Sequence, residues 1–124
     1  MVLIFSTPYN RVIAMEAMTG REYWAFDPEP WKGYGQPSNG TGLVHRGVAT
    51  WTDGKERRVF INSRWRLFAL DAKTGKELLR KELGRRATAT PMTYRTAAGT
   101  QFVVIATGTG NNAALLAMKV APAR

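Results

Sequence analysis

An all-β fold assembled from repeated antiparallel meanders is what this sequence predicts, and three observations carry that reading. First, "AMEAMTGRE" (Ala14 to Glu22) overlays "ALDAKTGKE" (Ala69 to Glu77) without a gap, 55 positions apart, with five of nine residues identical and three more alike in character. That agreement marks a duplicated supersecondary unit. Second, the apolar runs inside each copy, Val12 to Met15 and Leu67 to Leu70, are bounded by polar residues and are too short for a helix of ordinary length. Third, Gly-containing turn signals recur between short apolar runs along the chain, and no convincing helix pattern appears.

The elements follow in order. In "VLIFSTPYNRVI" and "RRVFINSRWRLF" an apolar run, a polar turn and a second apolar run appear in the same sequence, which predicts a hairpin in each unit. An acid, then Ala-x-Thr-Gly, then a basic residue predicts the next tight turn. There Gly20 and Gly75 take positive φ, while the Glu16 or Asp71 carboxylate and the Thr hydroxyl bond local amides. In the second unit Asp53-Gly54 separates Val48–Trp51 from Val59–Ile61, another hairpin signal. In the third, "PMTYRTAAGTQFVVIATG" gives two strands around Ala98-Gly99, and "ALLAMKV" gives a further one. The chain is thus read as one domain of about ten strands, with units near residues 2–28, 46–83 and 88–120 and a loop over 29–45. Regular short meanders of this kind are compatible with a sandwich, a barrel or a propeller.

Composition narrows the function classes. The 124 residues suffice for one modest core. No cysteine is present, so disulfides and thiolate metal sites are excluded. The apolar start, Val2 to Phe5, is far short of a signal-peptide core or a membrane span, so no export signal and no membrane partner are expected. A net charge of +9 suits an anionic ligand or an acidic surface. The basic residues are scattered over several segments, however, which favours solubility and edge protection over nucleic-acid binding.

The pattern Ala-x-(Asp/Glu)-x-x-Thr-Gly-x-x-x-Trp, intact from Ala14 to Trp24, resembles the tryptophan-docking repeat of the quinoprotein dehydrogenase β-propellers. In the second copy Leu79 stands where Trp24 stands in the first, so one docking contact is altered. "STPYNRVIAMEAMTGREYWAFDP" and "QPSNGTGLVHRGVATWTDGKERRVFINSRWRLFALDAKTGKEL" look like the first two blades of the glucose and alcohol dehydrogenases that use pyrroloquinoline quinone (PQQ), and "ATPMTYRTAAGTQFVVIATGTG" looks like their last blade. The resemblance implies a partial propeller of about three four-stranded blades, joined near "LLRKELGRRATAT" with the middle blades missing. The first unit is expected to lack its innermost strand and the last its outermost.

What the resemblance implies for chemistry centres on one residue. The Arg of the family's "RG" reaches a carboxylate of the quinone, and Arg46 in "VHRGVA" matches it; a planar fork of donors suits that partner. The family's vicinal cysteine pair is replaced near Gly40-Thr41. Its Ca²⁺ ligands and catalytic aspartate come from middle blades, so neither a catalytic residue nor a metal ligand is assigned here. The implied function is a truncated PQQ-dependent sugar or alcohol oxidoreductase; the alternative is a non-catalytic binding or scaffold module with a basic surface. The family is periplasmic, but localisation stays unassigned for this sequence.

Other conspicuous residues have plainer readings. His45 is the sole histidine, with no second histidine or convergent carboxylates, and is read as structural. "TGTGNN" (Thr107 to Asn112) follows no βα pattern and is read as a loop between blades, not a phosphate cradle. "NGT" (Asn39 to Thr41) fits a glycosylation acceptor but has no secretory signal beside it. Among the tryptophans able to stack on bases or sugars, Trp24 belongs to the docking core by its repeat position, while Trp31 is the most exposed candidate. Arg57, Arg58, Arg64 and Arg66 surround one hairpin as an anion site or a solvated strand face. Finally, an arc of three blades leaves apolar faces and strand edges uncovered at both ends. Self-association is therefore expected, a homodimer closing a six-bladed ring being the simplest count.

Overall fold

The computed structural model describes residues 1–32, 43 and 47–121. Ten strands form three antiparallel sheets, and no α-helix is present among the described residues. Strands β1 (Val2–Ser6), β2 (Val12–Glu16) and β3 (Glu22–Phe26) make the first sheet. The second is β4 (Ala49–Thr52), β5 (Arg57–Ser63), β6 (Arg66–Asp71) and β7 (Glu77–Glu82), in that order. The third is β8 (Met92–Arg95), β9 (Gln101–Thr107) and β10 (Ala114–Lys119). Each sheet is a plain meander, so local hairpins alone set its topology. Only the middle sheet has four strands; β2–β3 and β6–β7 match as the repeat requires, including a register shift after Ala14 and again after Ala69.

The middle sheet lies between the other two, and the period of two along its strands decides which residue meets which neighbour. Val59, Ile61, Phe68 and Leu70 face the first sheet, packing with Val12, Ala14 and Trp24. Phe60, Leu67 and Ala69 alternate with them and face the third, packing with Val103 and Ile105. The register explains why the faces stay separate: Val59 pairs Leu70 and Ile61 pairs Phe68, while Phe60 pairs Ala69. A one-residue slip would exchange the two cores. Polar ties reinforce the stacking. Asn10, buried at the end of an otherwise exposed hairpin loop, donates through Nδ2 to Ser63 Oγ at 2.8 Å, and Thr93 Oγ1 donates to the Thr50 carbonyl at 3.1 Å.

The end sheets each keep one side uncovered by any described residue of a neighbouring sheet. On the first sheet that side carries Leu3, Phe5, Ile13, Met15 and Ala25, which alternate with the residues facing the middle sheet. On the third it carries Met92, Tyr94, Phe102, Val104, Leu115 and Ala117. Leu115 is 75 % exposed and Met92 56 %. The Thr107–Asn112 stretch differs from expectation. It joins β9 to β10 inside one sheet through a single 3₁₀ turn at Gly110–Asn112, not one blade to the next. The cause is that Ala114–Lys119 has a complete antiparallel partner in β9.

Candidate functional site

The two repeated turns are built alike. In the second, Asp71 Oδ1 accepts from the Thr74 hydroxyl and from the Thr74 and Lys73 amides at 2.8–3.0 Å, and these bonds, the hydroxyl's foremost, hold its carboxyl below the usual range. The Gly75 amide donates to the Asp71 carbonyl and the Asp71 amide to that of Lys76. In the first, the Gly20 amide donates to the Glu16 carbonyl and the Glu16 amide to that of Arg21, and Gly20 and Gly75 sit at φ 73° and 72°. The longer Glu16 side chain reaches further. Tyr23 Oη donates to it at 2.8 Å and the Met1 amino group at 3.0 Å, and these contacts, the tyrosine's foremost, lower its pKa from 4.5 to about 2.

What distinguishes the turns is the indole. Trp24 lies flat on Gly75, where a Cβ would come within 2.5 Å of Cε3, and its Nε1 donates to the Ala72 carbonyl at 3.1 Å. Gly20 has no heavy atom of the described residues within 4 Å of the equivalent position. Leu79, aligned with Trp24, docks on no such turn and is 48 % exposed. It borders a cleft of about 730 Å³ between the middle and third sheets. Phe60, Leu67, Val103 and Met118 line its floor, and Arg58, Lys81 and Lys119 stand at its rim with Glu56 and Asp71. Sequence reasoning missed this cleft because its cations come from separate strands with no local motif. The Trp-to-Leu exchange at position 79 was the one signal for it.

Arg46, the sequence-derived cofactor residue, lies outside the described residues, as do His45 and the Asn39–Thr41 stretch. The described chain resumes at Gly47, two residues before β4, which occupies one edge of the middle sheet. The structure does not gather the four arginines of the β5–β6 hairpin. Arg57 is exposed; Arg58 pairs with Glu56 at 3.3 Å and lies 5.0 Å over the Trp51 ring. At the other end of β5, Arg64 is buried and Arg66 holds Glu82 at 2.7 Å. Trp31 is exposed as expected, whereas Trp51 and Trp65 are half-buried. No group of three or more His, Asp or Glu side chains able to hold a metal occurs among the described residues, and no helix is long and apolar enough to cross a membrane.

PQQ is a flat, polyanionic ring system, so its holder needs cations around an aromatic or apolar platform. The cleft combines an apolar floor with cations at its rim, drawn in part from β7 and β10.

The chain matches the PQQ family described as glucose/ethanol/alcohol dehydrogenase, β-propeller domain, over residues 1–78 and again over 62–103. It is 42 % identical over 78 residues, 62 % of its length, to quinohemoprotein alcohol dehydrogenase ADH IIB of Pseudomonas putida. It is 33 % identical over 105 residues, 85 % of its length, to 1-butanol dehydrogenase (cytochrome c) of Thauera butanivorans. The matched parts make up only 11 % and 13 % of those two relatives. The double overlap over residues 62–78 falls on the repeated turn itself. With these matches over most of its length, the chain belongs to the PQQ-dependent quinoprotein dehydrogenase β-propellers.

Proposed function

We propose that these residues serve as a cofactor-adjacent part of a PQQ-dependent alcohol or sugar oxidoreductase, with Arg46 placing its guanidinium fork on a carboxylate of the quinone. The observation that supports this reading is the family match across residues 1–103, with the dehydrogenases of P. putida and T. butanivorans as relatives. Oxidation of an alcohol by a quinone needs an electrophile on the quinone oxygens and a base on the hydroxyl. This stretch supplies orientation of the cofactor, and the middle blades of the family supply the Ca²⁺ ligands and the catalytic aspartate. By itself it binds quinone weakly and does not turn over.

Titration with PQQ and Ca²⁺, followed by quinone absorbance and by quenching of protein fluorescence, tests the reading. A saturable signal in the wild type that is lost in Arg46→Ala supports it; no signal, or one unchanged by the substitution, ends it. Dye-linked oxidation of 1-butanol, ethanol or glucose at a family-like rate would overturn the second half, that the stretch is not catalytic alone. The cleft beside Leu79, with Arg58, Lys81 and Lys119 at its rim, gives the alternative of a non-catalytic binding module its own observation. That reading predicts an anion-dependent rise in melting temperature that Arg46→Ala leaves intact and Lys81→Ala together with Lys119→Ala removes.

A further inference from the structure

We infer that the cleft between the middle and third sheets binds a small planar aromatic anion, its ring seated where the repeat places an indole one sheet earlier. The register sets the correspondence. Ala14 pairs with Trp24 across β2 and β3, and Ala69 pairs with Leu79 across β6 and β7, 55 positions on in each case. Trp24 faces the middle sheet, and Leu79 correspondingly faces the third, on the side that carries Leu67 and Ala69. Between the first two sheets the indole fills the space, lying on Gly75 and donating to the Ala72 carbonyl. Two exchanges leave the next space open. Leucine replaces the indole at position 79, and β10 ends in Lys119 where β2 and β6 end in Glu16 and Asp71, so that strand end has no carboxylate to order a docking turn. Both exchanges lie within described strands, and the cleft is thus a product of the repeat's own divergence.

Size and charge define the ligand. The cleft's volume of about 730 Å³ falls within the roughly 300–1,000 Å³ common for small-molecule sites. Phe60, Leu67, Val103 and Met118 give it an apolar floor, which suits a flat ring and not a hydrated ion. Three cations and two acids at the rim leave one net positive charge. Arg58 is already engaged, by Glu56 at 3.3 Å and by the Ala121 carbonyl at 3.2 Å, and Asp71 is held in its own turn. Lys81 is in a different position. It stands opposite Leu67 on the cleft side of β7, two residues beyond Leu79, and holds no ion pair among the described residues. A ring on the floor with a carboxylate one methylene away therefore satisfies both parts of the cleft, the apolar lining and the Lys81 ammonium. This assignment rests on the binding-module reading of the cleft and not on the quinone at Arg46.

Indole-3-acetate, which joins the absent indole to a carboxylate, is the probe. Calorimetric titration of the wild type is expected to show one saturable site with a dissociation constant on the order of 0.1–1 mM. Leu79→Trp fills the cleft with the chain's own indole and is expected to abolish the signal, whereas Arg46→Ala leaves it unchanged. Lys81→Glu, and the neutral probe 3-methylindole on the wild type, are each expected to weaken binding roughly fivefold. No heat with the wild type overturns the proposal, as does unchanged binding in Leu79→Trp or a signal lost in Arg46→Ala, since the probe then sits elsewhere. Should circular dichroism show that Leu79→Trp has lost its strands, Lys81→Glu, at an exposed position, decides: unchanged affinity there overturns the proposal. Sodium acetate is the remaining control. Equal effects of acetate and indole-3-acetate on the melting temperature would leave the cleft an anion site and overturn the aromatic assignment.

Discussion

At the scale of single residues, Gly75 and Gly20 form a natural control. Both sit at φ near +70°, so a side chain strains either turn by roughly 1–2 kcal/mol. At Gly75 the new Cβ also strikes the indole at 2.5 Å, and overpacking adds roughly 1–3 kcal/mol. Urea denaturation should accordingly show Gly75→Ala losing clearly more stability than Gly20→Ala; equal losses would mean that Trp24 is not held on the turn. Glu16 makes a prediction in pH. Its pKa is about 2 in the folded chain against an ordinary 4.5, so the proton binds the unfolded chain first on acidification. Its stabilising contribution is thus complete above about pH 5 and is lost as pH falls toward 2. Glu16→Gln should flatten the stability profile across that window, and Tyr23→Phe, which removes the principal donor, should narrow it.

Among the elements, the β2–β3 unit is tied to the middle sheet by one large side chain. Trp24 joins burial to a hydrogen bond on Ala72 across 48 residues of sequence. Trp24→Ala should cost roughly 3–5 kcal/mol. Trp24→Leu, which copies position 79, should cost less but leave the Ala72 carbonyl without its indole partner. Phe68→Ala empties the centre of the first core, where the ring meets Phe26 edge-on at 5.3 Å, and should cost a similar roughly 3–5 kcal/mol. If chemical denaturation shows either large-to-Ala change to be worth under about 1 kcal/mol, the packing described between the first two sheets is wrong.

For the whole molecule, the middle sheet shares one core with the first sheet and another with the third, and the expected self-association would add a dependence on concentration. The thermal midpoint should rise with protein concentration, as mass action requires when a folded dimer is the stable species. A midpoint constant from about 1 to 100 µM would show that the three sheets stand alone.

Much of this organisation was legible in the residues because it is local. The Ala-x-(Asp/Glu)-x-x-Thr-Gly pattern specifies its turn through the reach of one carboxylate, one hydroxyl and one glycine, and the period of two in "VFINS" and "LFALD" specifies two-sided burial. Ten short strands in meander order follow from that alone. What lay beyond the residues is whatever depends on which sheet stacks on which. The repeat does not say that Gly75 rather than Gly20 carries an indole, that Leu79 borders a cleft, or that Arg58 and Arg66 part to opposite ends of β5. Those outcomes depend on contacts between units far apart in sequence. Strand pairing is settled by neighbours along the chain, whereas stacking is settled by apolar faces that every copy of the repeat presents in nearly the same form.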